Sequence, residues 1–339
     1  MRRSLRAGAA VVISSLLVLA LAGCGGGGSQ KADPKNPVTI DVAVLAATEF
    51  YVIPWLVGQQ QGFFADRGVV VKDIVAGSGG SATLRTQLSG GMPIGEIGYK
   101  SVLDARSEDI PVLTVGGGAQ GPYGGDFYAL ADNDRVNELR DIKRWAYTNP
   151  GSSVYALSFL LPKAAGLPTE AERIAAGGVG EGAALLEAGT VDVAWLPPSL
   201  ASRNTGKFKK VVSTGDYITD FQQSVITTSP EYAEEHPDVV RGVLAGWQEA
   251  TEWIARNPDA AAKIYARHAD LPLKSATSVV EGAIESKVWN VGFNPAALKR
   301  GTEAAVVSGF KGDVEYCEFM DGSYLPSGAS TDLPTKCGE

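Results

Sequence analysis

The stretch that decides the fold class is VVVKDIVAGSGGSATLRTQLS, residues 69–89. Its first part is rich in β-branched residues and predicts a strand over 69–75, and its last part predicts a helix over 82–89. A glycine-rich loop, residues 76–81, joins the two. A strand, a tight loop and a helix in this order form the unit of parallel sheets with crossover helices, so the stretch predicts an α/β protein.

Similar units recur along the chain. The sequence predicts strands at 38–45, 96–98, 111–115, 127–131, 145–148, 175–179, 191–196 and 211–213, then a return strand at 224–228 and a helical C-terminal cap from 230 onward. This order predicts two lobes and two crossings between them, near 125–127 and 220–224. Lobe 1 is then discontinuous, with residues 38–126 and 224–339, and lobe 2 has residues 127–223. We expect a ligand between the lobes, at the carboxyl ends of the strands.

The N-terminus has the layout of a secretory signal. Three arginines precede an uncharged apolar run over 7–22, and Leu21-Ala22-Gly23-Cys24 follows. The last four residues resemble the lipobox of bacterial lipoproteins, which implies a signal peptide over 1–23 and a diacylglyceryl anchor on Cys24. The alternative is an ordinary signal peptide cleaved near Ala22. Residues 24–37 are glycine-rich and polar, and they predict a flexible tether. We therefore expect an extracytoplasmic protein held at the cell membrane by lipid.

Charge and cysteine content narrow the function. Without residues 1–23 the 30 basic residues become 27 against 38 acidic ones, a net charge of −11. Such acidity argues against binding nucleic acid or an anionic membrane surface.

The two other cysteines, Cys317 and Cys337, predict a disulfide in an exported chain, although two free thiols or a metal pair remain the alternative.

Several short phrases resemble one family when they are taken together in order. They are YVIPW at 51–55, QGFFADRGV at 61–69, AGSGGS at 76–81, LEAGTVDVA at 186–194 and SPEYAEEHPDVVR at 229–241. Together they resemble the nitrate/sulfonate/taurine/thiamine-pyrimidine group of ABC-importer solute-binding proteins. The resemblance implies the two-crossing, type 2 periplasmic-binding-protein fold, a small-molecule solute and a membrane permease as partner. GMPIGEI at 91–97 departs from the family's Gly-x-Val-Asp-Phe pattern and leaves ligand contacts at the third strand in doubt.

Two loops are candidates for holding an anionic group. Gly79, Gly80 and Ser81 precede one predicted helix, and the segment from Asn149 to Ser153, with Ser152 in it, opens another. Backbone N–H groups at helix starts favour anions. The alternative for the first loop is a plain tight turn.

Side chains at the ends of strands complete the candidate site. We expect Tyr99 and Lys100 to point into the cleft mouth, with Lys100 pairing an anionic ligand unless it is a solvated surface lysine. Trp195 and Ser199 flank Pro197-Pro198, and an indole there suits an aromatic or apolar ligand, with packing between lobes as the alternative. The resemblance places the loop carrying Phe50 and Tyr51 at the cleft. Tyr123, near the first crossing, is expected as a hinge or lid contact.

The sequence disfavours an enzyme. Its two histidines, His236 and His268, lie far apart, and no catalytic triad order or His-Glu-x-x-His motif occurs. Some enzymes on this fold use cysteine- and histidine-rich iron sites, and this chain lacks those residues. We expect no cofactor and no metal, and a monomeric receptor that delivers a small organic anion or a pyrimidine to an ABC permease. A solute-sensing accessory lipoprotein and an extracytoplasmic enzyme remain alternatives.

Overall fold

The computed structural model describes residues 32–77 and 79–337. The expected signal peptide, Cys24 and the first part of the tether therefore lie outside the described residues.

The first third of the chain folds as alternating strands and helices. Its elements are β1 (Val38–Val44), α1 (Val52–Gln61), β2 (Val69–Ala76), α2 (Gly80–Ser89), β3 (Ile94–Gly98), α3 (Tyr99–Ser107), β4 (Leu113–Gly116) and the two-residue β5 (Gly118–Ala119). Helix α1 ends because Gly62 adopts a left-handed conformation (φ 81°) that few other residues tolerate.

The middle of the chain repeats this alternation. Its elements are β6 (Phe127–Leu130), β7 (Arg144–Tyr147), α4 (Ser153–Ala164), β8 (Glu172–Ala175), α5 (Val179–Glu187), β9 (Val193–Trp195), α6 (Pro198–Arg203) and β10 (Phe208–Val212).

The last third returns one strand and is then mainly helical. Its elements are β11 (Ser224–Thr228), α7 (Pro230–Glu235), α8 (Pro237–Arg256), α9 (Pro258–Ala269), α10 (Leu273–Glu285), β12 (Trp289–Asn290) and α11 (Pro295–Val307). Four of these helices begin with proline, whose fixed φ and missing N–H suit the first helical position. Among the described helices, none combines the length and apolar character that a membrane span requires.

Two five-stranded sheets organise these elements. The first has the order β2-β1-β3-β11-β4 and the second β10-β6-β9-β7-β8; we call each sheet with its helices lobe 1 and lobe 2. Each sheet is mixed rather than wholly parallel, because β11 runs antiparallel to β3 and β6 runs antiparallel to β9. Each sheet therefore departs from the parallel arrangement in one strand. Both antiparallel strands directly follow a passage from the other lobe, so the chain enters each sheet in the opposite direction.

Two local predictions also differ from the structure. Helix α3 was not predicted, because its sequence YKSVLDARS has a weak apolar pattern; tertiary burial of Tyr99, Val102 and Leu103 stabilises it instead. The strand predicted at 175–179 lies three residues earlier, at Glu172–Ala175, since the glycines at 177 and 178 form the loop before α5.

The helical cap and the tail complete lobe 1. Val240, Val243, Leu244 and Trp247 of α8 are fully buried in the largest core cluster, against α1. The tail then runs beside β4, where the Thr114 amide donates to Phe319 O (2.7 Å) and the Asp321 amide donates to Thr114 O (2.9 Å). This pairing covers a sheet edge that would otherwise expose its hydrogen-bonding groups. Cys317 and Cys337 form a disulfide within the tail, with their Cα atoms 5.5 Å apart.

Candidate functional site

A cavity of about 330 Å³ lies between the two lobes, at the carboxyl ends of β1, β2, β7, β8 and β9. Lobe 1 contributes the loops that follow β1 and β2, and lobe 2 contributes the loops that follow β7 and β8 and the end of β9. The lining residues are Leu45, Ala46, Ala47, Tyr51, Ala76, Gly77, Gly79, Gly80, Thr148, Ser152, Ser153, Val154, Gly177, Gly178, Val179, Glu181 and Trp195.

Three helices begin at this cavity. They are α2 at Gly80, α4 at Ser153 and α5 at Val179. The first N–H groups of a helix lack partners within the helix and carry partial positive charge, so three such starts favour an anionic group. At α4 the Ser152 hydroxyl accepts the Tyr155 N–H at 3.1 Å and fixes where the helix begins.

Two aromatic side chains form a wall of the cavity. The Tyr51 hydroxyl donates to Gln223 Oε1 at 2.7 Å, and the Trp195 indole N–H donates to Gly124 O at 2.5 Å. Because their polar atoms are already bonded to protein, what they offer a ligand is apolar ring surface. Phe50 does not line the cavity; it lies behind Tyr51, with ring centroids 4.1 Å apart, and is fully buried.

Charge at the cavity differs from the expectation. Within the described part of the chain, the lining has one charged side chain, Glu181, and no lysine, arginine or histidine. An anionic ligand here would therefore depend on backbone N–H groups rather than on an ion pair with the lining.

Tyr99 and Lys100 lie outside the cavity. Both belong to the first turn of α3 and point away from it: the Tyr99 hydroxyl hydrogen-bonds Thr302 Oγ1 (3.0 Å) in the core, and Lys100 Nζ donates to both carboxylate oxygens of Asp104 at 2.8 Å. Lys100 borders a separate groove with Ser81 and Tyr155. The predicted ion pair between Lys100 and a ligand in this cavity does not fit this geometry. Both residues lie in α3, a helix that the sequence did not predict.

The two lobes touch on one side of the cavity through the predicted glycine loop. The Ser81 amide and hydroxyl lie 3.5 and 3.4 Å from Pro150 O, and the Ser101 hydroxyl donates to Gly151 O at 2.9 Å. Gly80 adopts φ +52°, and a Cβ there would lie 2.8 Å from Pro150 O and 3.0 Å from Ser152 N. Only glycine permits this approach of the two loops without movement.

Asn149 joins the two loops of lobe 2 that reach the cavity. Its side-chain amide donates to Gly177 O at 3.2 Å. It therefore helps to hold the starts of α4 and α5 next to each other.

The lobes also touch through a second contact, which the sequence did not reveal. The Ser199 hydroxyl of α6 lies 3.2 Å from both carboxyl oxygens of Glu49, in the loop after β1. Arg203 of the same helix donates to Ala269 O (2.7 Å) and Asp270 O (2.5 Å) at the end of α9. Burial raises the pKa of Glu49 to about 8.

Gln223, in the second crossing, forms hydrogen bonds with several separate parts of the fold, and we call it the hub. Its side-chain amide donates to Gly121 O and Tyr123 O, both at 2.8 Å, while its backbone carbonyl accepts the Ser153 hydroxyl at 2.7 Å. With Tyr51 bonded to its Oε1, Gln223 ties the first crossing, lobe 1 and lobe 2 together. Tyr123 itself does not line the cavity; its hydroxyl donates to Val279 O of α10 at 2.8 Å.

A second buried carboxyl, that of Glu96, lies in the segment 91–97, which departs from the family pattern. Glu96 of β3 accepts the Trp55 indole N–H and the Ser224 hydroxyl, each at 2.7 Å. Ser224 Oγ in turn accepts the Ala119 amide at 2.9 Å. Burial raises the pKa of Glu96 to about 7. This carboxyl therefore connects α1 to Ser224, where the second crossing enters β11, and through Ser224 to β5.

Side chains suited to a metal do not cluster. Over residues 32–77 and 79–337, no group of three or more His, Cys, Asp or Glu residues is placed to hold a metal ion.

Two mixed sheets joined by two crossings, with a cavity between their strand ends, define the class of two-lobed, periplasmic-binding-type proteins. The family model described as "NMT1/THI5 like" matches residues 49–261, and the chain belongs to that family. This agrees with the nitrate/sulfonate/taurine group that the sequence resembles. No curated protein sequence matches the chain.

Solved structures show the same fold at low sequence identity. The alkanesulfonate-binding protein SsuA from Xanthomonas axonopodis pv. citri, bound to MOPS, is 16% identical with a TM-score of 0.67 over 84% of this chain and 98% of that one. A ligand-binding component of an ABC-type import system from Staphylococcus aureus, with zinc bound, is 14% identical with a TM-score of 0.70 over 87% and 100%. The desulfurization enzyme DSZB is 15% identical with a TM-score of 0.56 over 85% and 97%.

Proposed function

We propose that this protein is the solute-binding component of an ABC importer and captures a small organic anion between its lobes. The observation that carries the proposal is the cavity itself: three helix starts and an aromatic wall meet there. Two contacts between the lobes, Ser81 with Pro150 and Glu49 with Ser199, lie next to the residues that line it. A volume of about 330 Å³ suits a small metabolite.

The lining suggests how such a solute would lie. Its anionic group, a sulfonate or carboxylate, would face the starts of α2, α4 and α5, and its alkyl or ring portion would lie against Tyr51 and Trp195. The alkanesulfonate-binding protein with bound MOPS supports this class of ligand through its shared fold and family resemblance. A pyrimidine fits the same aromatic wall.

The proposal includes a location and partners. The protein would be extracytoplasmic and monomeric, anchored by lipid on Cys24, and its closed form would be what the permease recognises. Lobe 1, residues 38–126 and 224–339, and lobe 2, residues 127–223, would move about the two crossings. It would act by binding and release rather than by catalysis, and without a cofactor. Replacing Cys24 by serine would release the protein from the membrane fraction; retention there would contradict the lipid anchor.

A thermal-unfolding panel tests the binding function. Sulfonates, carboxylates, nitrate, taurine and pyrimidines are added to the purified protein and products are analysed. A compound at a hundred times its dissociation constant stabilises the fold by about 2.7 kcal/mol. We expect one compound class to raise the midpoint with no product formed. A flat response to the whole panel, or turnover of a compound, would contradict the proposal.

A further inference from the structure

The contact between Glu49 and Ser199 has features that packing alone does not require. Glu49 is 4% exposed and Ser199 is 6% exposed, yet they come from different lobes and lie 150 positions apart in sequence. The contact borders the cavity, because Glu49 lies in the loop between Ala47 and Tyr51, both of which line it. Whatever weakens this contact therefore weakens closure of the cavity.

The surroundings of Glu49 suit a neutral carboxyl. Over the described residues, the carboxyl has no basic group within 4.0 Å and its side-chain partner is the single Ser199 hydroxyl. Arg203 attracts its charge from α6 but donates its own hydrogen bonds to the carbonyls of Ala269 and Asp270. An ionised carboxylate buried with one neutral donor is unfavourable, whereas a protonated one is not.

The other titratable groups facing Glu49 are phenols. They are Tyr51 in the same loop, Tyr123 near the first crossing and Tyr265 of α9, whose hydroxyl donates to Thr48 O. Burial raises the pKa of each phenol above its usual value, so all three stay neutral near neutral pH. Of the buried groups at this contact, Glu49 is therefore the one that changes charge in that range. His268 of α9 also reaches this loop, where its Nε2 hydrogen-bonds Ala47 O at 2.9 Å, but it is exposed and forms no ion pair with Glu49 among the described residues.

We propose that Glu49 and Ser199 form an interlobe latch that holds the cleft closed while Glu49 is protonated and weakens when Glu49 loses its proton. Opening the lobes removes Ser199 and admits water to the carboxyl, so closing takes a proton up from solvent. This latch rests on the proposed function, since it regulates the same cleft, and it makes solute capture stronger at acidic than at alkaline pH.

The sign and the range of the effect follow from proton linkage. In the closed form the pKa of Glu49 is raised to about 8, and in the open form it returns toward its ordinary value of 4.5. Between these values the closed form binds more protons, so the closed-to-open ratio falls by up to about tenfold for each unit rise in pH. Above about pH 8 the ratio becomes constant.

The test follows lobe opening without any added solute, by small-angle X-ray scattering of the purified protein from pH 5 to pH 9. For the wild type we expect the radius of gyration to increase with pH and to level off above about pH 8. Glu49→Gln, a neutral residue of the same shape, is expected to stay compact over the whole range. Glu96→Gln is the matched control, because it also removes a buried carboxyl but one whose side-chain partners, Trp55 of α1 and Ser224 of β11, both belong to lobe 1; we expect it to follow the wild type.

Each outcome decides the latch separately from solute binding. A wild-type radius that does not change with pH overturns it, as does an unchanged pH response in Glu49→Gln. If Glu49→Gln does not fold, Ser199→Ala serves instead: loss of the latch hydrogen bond should give a larger radius at pH 5 than the wild type, and an equal radius overturns the proposal. The thermal-unfolding panel reports on the binding function independently, so the two proposals fail by different measurements.

Discussion

Gly80→Ala is the perturbation that separates closure of the lobes from stability of the fold. Gly80 has φ +52°, so alanine there is strained by about 1–2 kcal/mol in any state of the protein. In the closed state a second effect is added, because the new Cβ would lie 2.8 Å from Pro150 O and 3.0 Å from Ser152 N, on the opposite lobe.

The second effect sets the expected magnitude. Ordinary contact begins near 3.4 Å, so the two loops must separate by about 0.6 Å. Such overpacking costs about 1–3 kcal/mol, which corresponds to roughly fivefold to 150-fold weaker capture of a solute that needs the closed form.

Gly91→Ala is the matched control for this substitution. Gly91 also has a positive φ, +64°, and lies just beyond the other end of α2, but a Cβ there meets nothing within 4 Å. Both variants should lose similar stability in thermal unfolding without solute. With a panel compound that stabilises the wild type, Gly91→Ala should keep the increase in midpoint and Gly80→Ala should lose most of it. Equal increases of the unfolding midpoint in both variants would refute the inference that the solute needs the closed cleft.

Three further predictions concern a cation, a disulfide and a buried carboxyl. Lys100→Met should change solute affinity less than twofold in a titration, because Lys100 pairs with Asp104 outside the cavity. A large loss of affinity would instead indicate that Lys100 contacts the solute. Replacing both Cys317 and Cys337 by serine should destabilise the fold by about 3 kcal/mol in chemical denaturation, since the bond closes a loop with a sequence separation of 20. The pKa of Glu96 is raised from 4.5 to about 7, so between these pH values the folded state binds a proton that the unfolded state does not. The stability of the wild type should therefore fall by roughly 3 kcal/mol, relative to Glu96→Gln, as the pH rises from 4.5 to 7, and should then level off. A pH-independent difference between the two proteins would contradict this last reasoning.

The parts of the fold that the sequence predicted are those with a local signal. The return strand was predicted at 224–228 and occurs there, because four of its five residues are β-branched and all five are buried. Helices α8 and α9 of the predicted helical cap begin at Pro237 and Pro258, and proline is a residue type that favours the first position of a helix. The glycine loop at 76–81 and the segment opening α4 were recognised because helix starts carry short polar and glycine signals.

The parts that the sequence did not predict depend on contacts between distant segments. Glu49 and Ser199 meet only because α6 packs across the lobe interface, and no periodicity within either segment encodes that meeting. Lys100 pairs with Asp104 outside the cavity because it lies in α3, a helix whose weak apolar pattern gave no sequence signal. The hub at Gln223 was likewise invisible, because its partners Tyr51, Ser153 and the first crossing come together only in the folded chain.

Calorimetric titration of the wild type with the sulfonate, carboxylate, nitrate, taurine and pyrimidine panel is the decisive test of a solute site between the lobes. We expect saturable binding of one solute per protein by at least one small anion or pyrimidine, with no product formed and with the affinity reduced in Gly80→Ala but retained in Gly91→Ala. Absence of binding by every compound, or binding that Gly80→Ala leaves unchanged, would contradict a solute site between the lobes.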